Sequence, residues 1–559
     1  MESTNSKLVN QLFEQGVLIS KEILESNIND DLISKIEFEQ DLLVMNEDVL
    51  KIVSGNETLI DWYEFDEHRV SFEKNHNPEL YESHLQNLQN VSLSFPNTNL
   101  EVQKIKSNLQ ELEENVVTSS SKIEVSNQNQ VISSINNSSE NLNFEIITSF
   151  KSNSHKHKIV DFSRVFLSRY KFLQSLISQR PEMENLTSIS RLKNKKEREK
   201  LSIIGLVYDS YETRNGHIIL TIEDPTGHIK VLINNKNKKL LLEAKELIFD
   251  EVIGIYGSTG DNIIFADKIV WPDVPLTNDL KKSSDEDYAI FLSDIHIGST
   301  YFLEKEFEKF IRWVSGKAGN ESQRKISSKV KYIFIAGDIV DGIGIYPLQE
   351  EELNIKTMKG QYDKFTELIK KIPSDKQIFI CPGNHDLVHL AEPQPVFYKE
   401  YTQELHDMKN VTLVSNPSMI NIAKKEGFEG FNILMYHGYS FDYYVANVDS
   451  IRNKGGYHRA DLIMQFLLKR RHLAPTFTST PYLPSYQTDP LLITKIPDIM
   501  ITGHIHYSAV SNYRGVTLMS GSCWQAKTKF QEKLGHDPEP GRVPLVNLKT
   551  REVKILKFA

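Results

Sequence analysis

Five short apolar runs in the second half of this chain each stop at a cluster of Asp, Asn, His and Gly, and this constrains the fold more than any other feature. Ile290-Phe291-Leu292 leads into Ser293-Asp294-Ile295-His296, and Ile333-Phe334-Ile335-Ala336 into Gly337-Asp338. Ile378-Phe379-Ile380 leads into Pro382-Gly383-Asn384-His385-Asp386. Ile433-Leu434-Met435-Tyr436 precedes His437-Gly438, and Ile499-Met500-Ile501 precedes Thr502-Gly503-His504-Ile505-His506. Apolar β-formers in runs this short read as buried strands, and a buried strand holds its last residue rigidly. Several such ends at one sheet edge place their side chains around a common point. The pattern calls for an α/β or sandwich core with ligands at its strand ends.

The donors are carboxylate, amide and imidazole, with no thiolate. That set suits Mn²⁺, Fe²⁺ or Zn²⁺ at a reactive centre rather than a structural zinc, which favours Cys. Asp-x-His and His-x-His put alternate side chains on one side of an extended segment, so two ligands reach one centre. Taken singly, each motif is weak, because a lone His at a strand end is more often a hydrogen-bonded core residue. Five in order within one stretch are not explained that way.

The 559 residues leave room for about three or four domains. Hydrophobic residues make up 39% and charged residues 25%, the balance of a globular chain with a buried core. No apolar run approaches the ~20 residues that span a bilayer, and MESTNSKLVNQLFEQG lacks a signal-peptide pattern, so an intracellular protein without membrane contact is expected. Two cysteines, Cys381 and Cys523, are too few for a disulfide framework. The net charge of −10 is concentrated in acidic residues of the first 75 positions. It weighs against strong sequence-independent DNA binding by the chain alone, although bound metals add positive charge that the count omits.

Residues 1–75 read as a small helical interaction domain, with Leu8, Leu12, Phe13 and Val17 at helical spacing. Residues 76–157 read as a disordered Asn/Ser-rich linker, with a short helix around Val102–Val116 as an option. A helical lead-in follows at 158–200, carrying an apolar stripe through Val165, Phe166, Tyr170, Leu173 and Ile177. It ends in a basic run from Arg191 to Lys200 that either forms a solvated face or touches phosphates. Residues 201–278 give three strands, a helix and two strands, the order of a five-stranded OB-type barrel. Such barrels bind single strands or serve as packing modules, and the lack of an obvious aromatic ladder favours packing.

DxH, GD, GNHD, H and GHxH in this order resemble the signature of calcineurin-like metallophosphoesterases across residues 286–559. The resemblance implies a two-sheet α/β domain with two divalent metal ions, Mn²⁺ first, Fe²⁺ or Zn²⁺ as alternatives. It implies Asp294, His296 and His506 as ligands of one ion, Asn384, His437 and His504 as ligands of the other, and Asp338 as the bridge. His385 is implied as the group that protonates the leaving oxygen or stabilises the transition state. Asp386 either orients His385 or caps a turn, and Tyr439 either meets a nucleotide or only packs.

A barrel directly before such a domain resembles the B-subunits of replicative DNA polymerases, and the four-part layout is most similar to the small subunits of archaeal polymerase D. DFSRVFLSRYKFLQSLISQR (161–180) and GHDPEPGRVPLVNLKTREV (535–553) carry the same resemblance. It implies a multidomain α+β protein of the cytoplasm, at the nucleoid. It implies a large catalytic polymerase subunit as partner, a DNA primer–template 3′ end as substrate, and 3′→5′ exonuclease proofreading. Other replication factors would dock on the N-terminal domain through the linker. The alternatives are a structural scaffold with an inactive metal site and a free-standing phosphoesterase acting on another ester.

Overall fold

The computed structural model describes residues 144–151, 157–192, 198–484 and 488–559, together with the paired two-residue strands Leu18–Ile19 and Val44–Met45. The helical reading of 1–75, the optional helix at Val102–Val116, most of the linker and the middle of the basic run otherwise lie outside the described residues. Arg191 closes a short helix and Lys200 opens a strand, its ammonium 2.5 Å from Asp267.

The folded region begins earlier than the sequence suggests. β1 (Phe144–Ser149), inside the stretch read as linker, pairs antiparallel with a strand of the C-terminal region. α1 (Ile159–Ile177) matches the expected lead-in helix. Its buried Tyr170, Leu173 and Ile177 pack on Ile204, Leu206, Val252 and Val270 of the following barrel.

The barrel consists of β2 (Lys200–Glu212), β3 (Ile218–Asp224), β4 (Gly227–Ile233), β5 (Val252–Thr259) and β6 (Ile263–Val270), closed in the order β2-β3-β4-β6-β5. The helix α2 (Lys238–Ala244) sits between β4 and β5, as the strand count predicts, and Asn237 caps it by accepting from the Leu240 amide. The barrel ends at Val270. Asp273 already donates its amide to the Lys469 carbonyl, and Val274 lies in a core cluster of the next domain, short of the expected boundary at 278.

The remaining chain forms two six-stranded sheets. The first contains β7 (Tyr288–Leu292), β8 (Val330–Ala336), β9 (Gln377–Cys381), β10 (Val411–Leu413), β16 (Arg542–Asn547) and β17 (Val553–Lys557), in the order β10-β9-β8-β7-β16-β17. The second contains β1, β11 (Ser418–Ile422), β12 (Phe431–Met435), β13 (Ile499–Thr502), β14 (Ala509–Tyr513) and β15 (Val516–Ser520), in the order β14-β15-β13-β12-β11-β1.

Alternation within the strands explains the layering. Phe291, Phe334 and Phe379 share a cluster with Ile433, Met435 and Ile501 between the sheets, while Ile290, Ile335 and Ile380 face helices on the other side. Both faces are buried, so the runs read as continuously apolar. The three phenyl rings stack across β7, β8 and β9, with centroids 5.3 and 4.9 Å apart, and Phe144 of β1 meets Phe379 edge-on at 5.1 Å. β7, β8, β9 and β10 run parallel, as do β12, β13 and β15, so their carboxyl ends gather at one rim of each sheet.

A buried ion pair ties α1 to this region. Arg169 Nε lies 2.6 Å from Asp489 Oδ2, and Arg169 also donates to the Pro475 carbonyl at 2.6 Å. No helix among the described residues is long and apolar enough to cross a membrane.

Candidate metal centre

All five strand ends deliver their side chains to one place. Asp294 and His296 follow β7, Asp338 follows β8, Asn384 and His385 follow β9, His437 follows β12, and His504 and His506 follow β13. Five of these residues have positive φ: Asp294 (51°), His296 (55°), Asp338 (50°), His504 (72°) and His506 (54°). Non-glycine residues rarely take that conformation, and it clusters where a site over-determines the backbone. Gly383 is needed here because a Cβ on it would stand 2.2 Å from Asp338 Oδ1.

The ligand atoms fall into two neighbouring groups. Asp294, His296 and His506 form one, with His296 Nε2 2.9 Å from His506 Nε2 and His506 Nε2 3.4 Å from Asp294 Oδ1. Asp338, His437 and His504 form another, joined by Asn384, whose Oδ1 lies 2.9 Å from His437 Nε2 and 3.0 Å from His504 Nδ1. Asp338 Oδ2 is 3.2 Å from His437 Nε2 and 4.0 Å from His296 Nε2, so this carboxylate stands between the two groups. These are the sets that the resemblance implies, and the chain brings all seven residues together.

The outward nitrogens of the imidazoles are tied. His437 Nδ1 donates to the Ala336 carbonyl at 2.9 Å, His296 Nδ1 meets Asp341 Oδ1 at 3.1 Å, His504 Nε2 meets Asp442 Oδ2 at 2.9 Å, and His506 Nδ1 meets the Gln531 amide at 2.9 Å. Such partners fix ring orientation and tautomer. With Nδ1 committed to a carbonyl, a neutral His437 presents the lone pair of Nε2 to two oxygen acceptors. Acceptors facing acceptors in a buried site call for a cation, and the donor set of imidazole, carboxylate and amide fits a divalent metal. A proton can take the same place as the cation. Burial pushes His437 down, yet Asp338 outweighs it and raises the ring to about 10. Burial likewise opposes the Asp338 charge, but His437 and His385 hold the carboxyl well below its usual range.

His385 sits at the edge of the centre. Its amide donates to Asp338 Oδ1 at 2.8 Å, Nδ1 lies 2.7 Å from the Asp341 carbonyl, and Nε2 is 4.0 Å from Asp338 Oδ2. Burial pushes its pKa down, against the pull of Asp338. Asp386 accepts from the Gly383 amide at 2.8 Å, the turn-capping role, while the His385 ring is held by Asp341. Burial and the Asp338 charge raise Asp386 to about 8. The Tyr439 ring lies 5.6 Å from that of His504.

Sequence reasoning misses three supports: Asp341, Asp442 and Gln531. Asp341 carries a signal, three residues beyond Asp338 in a GDxxD spacing; the other two lie on separate helices, α3 (Phe441–Asn447) and α4 (Lys529–Leu534), without a motif.

Residues 289–510 match the family model of the B subunits of DNA polymerases alpha and epsilon. The DNA polymerase II small subunit of Methanothermobacter thermautotrophicus is 38% identical over 418 residues, covering 74% of this chain and 83% of its own length. The protein of that name from Archaeoglobus fulgidus is 40% identical over 385 residues, covering 69% and 74%, and that from Thermoplasma acidophilum is 35% identical over 415 residues, covering 72% and 78%.

Proposed function

Because the chain belongs to the family of archaeal DNA polymerase II (polymerase D) small subunits, we propose that it equips its polymerase with a two-metal 3′→5′ exonuclease that removes mispaired primer ends. The observation that carries this reading is the convergence of Asp294, His296, Asp338, Asn384, His437, His504 and His506 with lone pairs facing one another. A scaffold has no use for buried carboxylates and imidazoles that need a cation or a proton between them. The two-sheet domain is read as calcineurin-like and the barrel as OB-type. A small subunit implies a large polymerising partner, and replication places the work in the cytoplasm.

Two divalent cations held by these seven residues, Mn²⁺ first on donor chemistry, would polarise the phosphodiester and lower the pKa of the attacking water. The chain's own part is positional. Asp338 joins the two groups of ligands, and its carboxylate holds their spacing. His385, fixed through Nδ1 on Asp341, offers Nε2 beside the reacting phosphate. Water oxygen bonds to phosphorus as its proton passes to solvent, and the P–O3′ bond of the penultimate nucleotide breaks. His385 in its imidazolium form, which its lowered pKa makes the stronger acid, gives the Nε2 proton to the departing O3′ while Nδ1–H stays on the Asp341 carbonyl. A nucleoside 5′-monophosphate leaves, and His385 regains a proton from solvent.

The test is degradation of a 3′-mispaired primer–template with Mn²⁺ by the wild type, Asp338→Ala and His385→Ala. Loss of nucleotides from the 3′ end by the wild type alone supports the reading. No cleavage by any form, with or without the large subunit, replaces it with the scaffold.

A further inference from the structure

One short helix beside the metal centre carries three different faces. α4 is the hexapeptide Lys529-Phe530-Gln531-Glu532-Lys533-Leu534, capped by Thr528, whose side chain accepts from the Gln531 amide. At 100° per residue, Gln531 occupies one face, Phe530 and Leu534 the next, and Lys529 and Lys533 the one beyond. Gln531 is turned inward, its amide 2.9 Å from His506 Nδ1. The helix is thereby anchored to the centre, with its apolar ridge nearest the metal-facing side and its lysine ridge outside.

The apolar ridge is open to solvent and pre-formed. Phe530 is 37% and Leu534 55% exposed. The Phe530 ring stacks on Tyr346 at 5.0 Å and 16°, a two-ring stack whose outer face can take a further ring. Tyr346 belongs to the loop after Asp341, where Ile345 and Leu348 are 40% and 69% exposed and whose first residues hold the His385 ring. Tyr346 is itself fixed, its hydroxyl donating to Glu352 at 3.2 Å. The surface thus bridges the segment that holds His385 and the segment that holds His506. Lys529 and Lys533 make no ion pair among the described residues, whereas neighbouring Lys527 is engaged with Asp537.

Aromatic rings interleaved with unengaged lysines fit a single-stranded nucleic acid, whose bases stack and whose phosphates take the cations. Resting on the nuclease reading above, we propose that the Tyr346–Phe530 pair is a stacking subsite for one unpaired base of the strand entering the centre, with Lys529 and Lys533 meeting the adjoining phosphates. The pair accepts any base, because every base has a π-face. It gives a mispaired, frayed end an advantage over a paired one, whose bases remain stacked in the duplex. The lysines explain how an acidic chain still holds a polyanion locally.

The experiment uses the full chain in EDTA, where nothing is cut, and a thymidine oligonucleotide of about 12 residues bearing 2-aminopurine at one position at a time. The wild type should quench the probe at one position near the 3′ end. Phe530→Ala should lose the quench and bind roughly tenfold more weakly, and Phe530→Trp should restore both. Lys529→Ala with Lys533→Ala should reduce the salt dependence of binding while leaving the quench in place. Unchanged quench and affinity in Phe530→Ala overturn the subsite. So does an effect of that substitution on assembly with the large subunit but not on the oligonucleotide, which would make the patch a protein-docking surface. A wild type that quenches the probe but never cuts DNA with Mn²⁺ keeps the subsite and removes only the nuclease reading.

Discussion

The Asp442 carboxylate meets His504 Nε2 at 2.9 Å, leaving Nδ1 as the nitrogen that faces Asn384. A half-exposed acid on a separate helix therefore decides which end of this imidazole serves the centre. Asp442→Ala should weaken Mn²⁺ binding by about 10–100-fold with the fold intact, as loss of a ligand's orienting partner does elsewhere. Calorimetric titration with Mn²⁺ checks this, alongside far-ultraviolet circular dichroism; an unchanged affinity would show that Asp442 orients nothing.

Gly383→Ala probes the same centre without replacing a ligand. The new Cβ would meet Asp338 Oδ1 at 2.2 Å and the Asp338 amide nitrogen at 2.6 Å, so this carboxylate between the two groups must shift. Displacement of this kind should reduce 3′ degradation by about 100-fold or more. Cleavage at the wild-type rate would mean that Asp338 can relax without consequence.

Away from the centre, Asp489→Ala should be the more damaging way to break the pair with Arg169. It leaves a guanidinium buried with a side-chain exposure of 2%, at a cost of about 3–5 kcal/mol. Arg169→Met should cost less, because Asp489 keeps His472 at 2.8 Å, the Tyr482 hydroxyl at 3.0 Å and the Leu491 amide at 3.0 Å. Urea unfolding of the two variants gives the order directly, and equal losses would contradict it.

His472 supplies a pH dependence. Burial and the neighbouring Arg169 push its pKa from 6.5 down to about 4, against the pull of Asp489. The unfolded chain takes up this proton first as the pH falls, so stability is present above about 6.5 and is lost on the way down to about 4. The advantage of the wild type over His472→Gln should shrink by about 3 kcal/mol across that window. Unfolding free energies at several pH values test it; a constant difference would place the proton elsewhere.

The seven candidate ligands are readable because they combine uncommon donor types with an unmistakable position, the end of a buried strand. His296 and His504 announce themselves after Leu292 and Thr502, whereas Asp442 and Gln531 sit on short helices that look like any polar surface. Their role arises only when the chain closes, from contacts spanning 62 and 25 residues. The positive φ of Asp294 and His506 is equally hidden, since it is imposed by neighbours rather than by residue type. β1 escapes for a different reason. Phe144-Glu145-Ile146-Ile147-Thr148-Ser149 is short and follows an Asn/Ser-rich stretch, so composition averaged over a window dilutes it, and nothing local names Met419 or Ile420 as its partners.

That strand sets a limit on how the protein can be shortened. A version starting at the lead-in helix, where the sequence alone would draw the border, strips the last strand from the second sheet and removes Phe144 from its contact with Phe379. The Ser418–Ile422 strand then becomes an open edge, a template for pairing with another molecule. An apparent loss of solubility or activity in such a fragment would report a missing β-strand rather than a missing interaction domain.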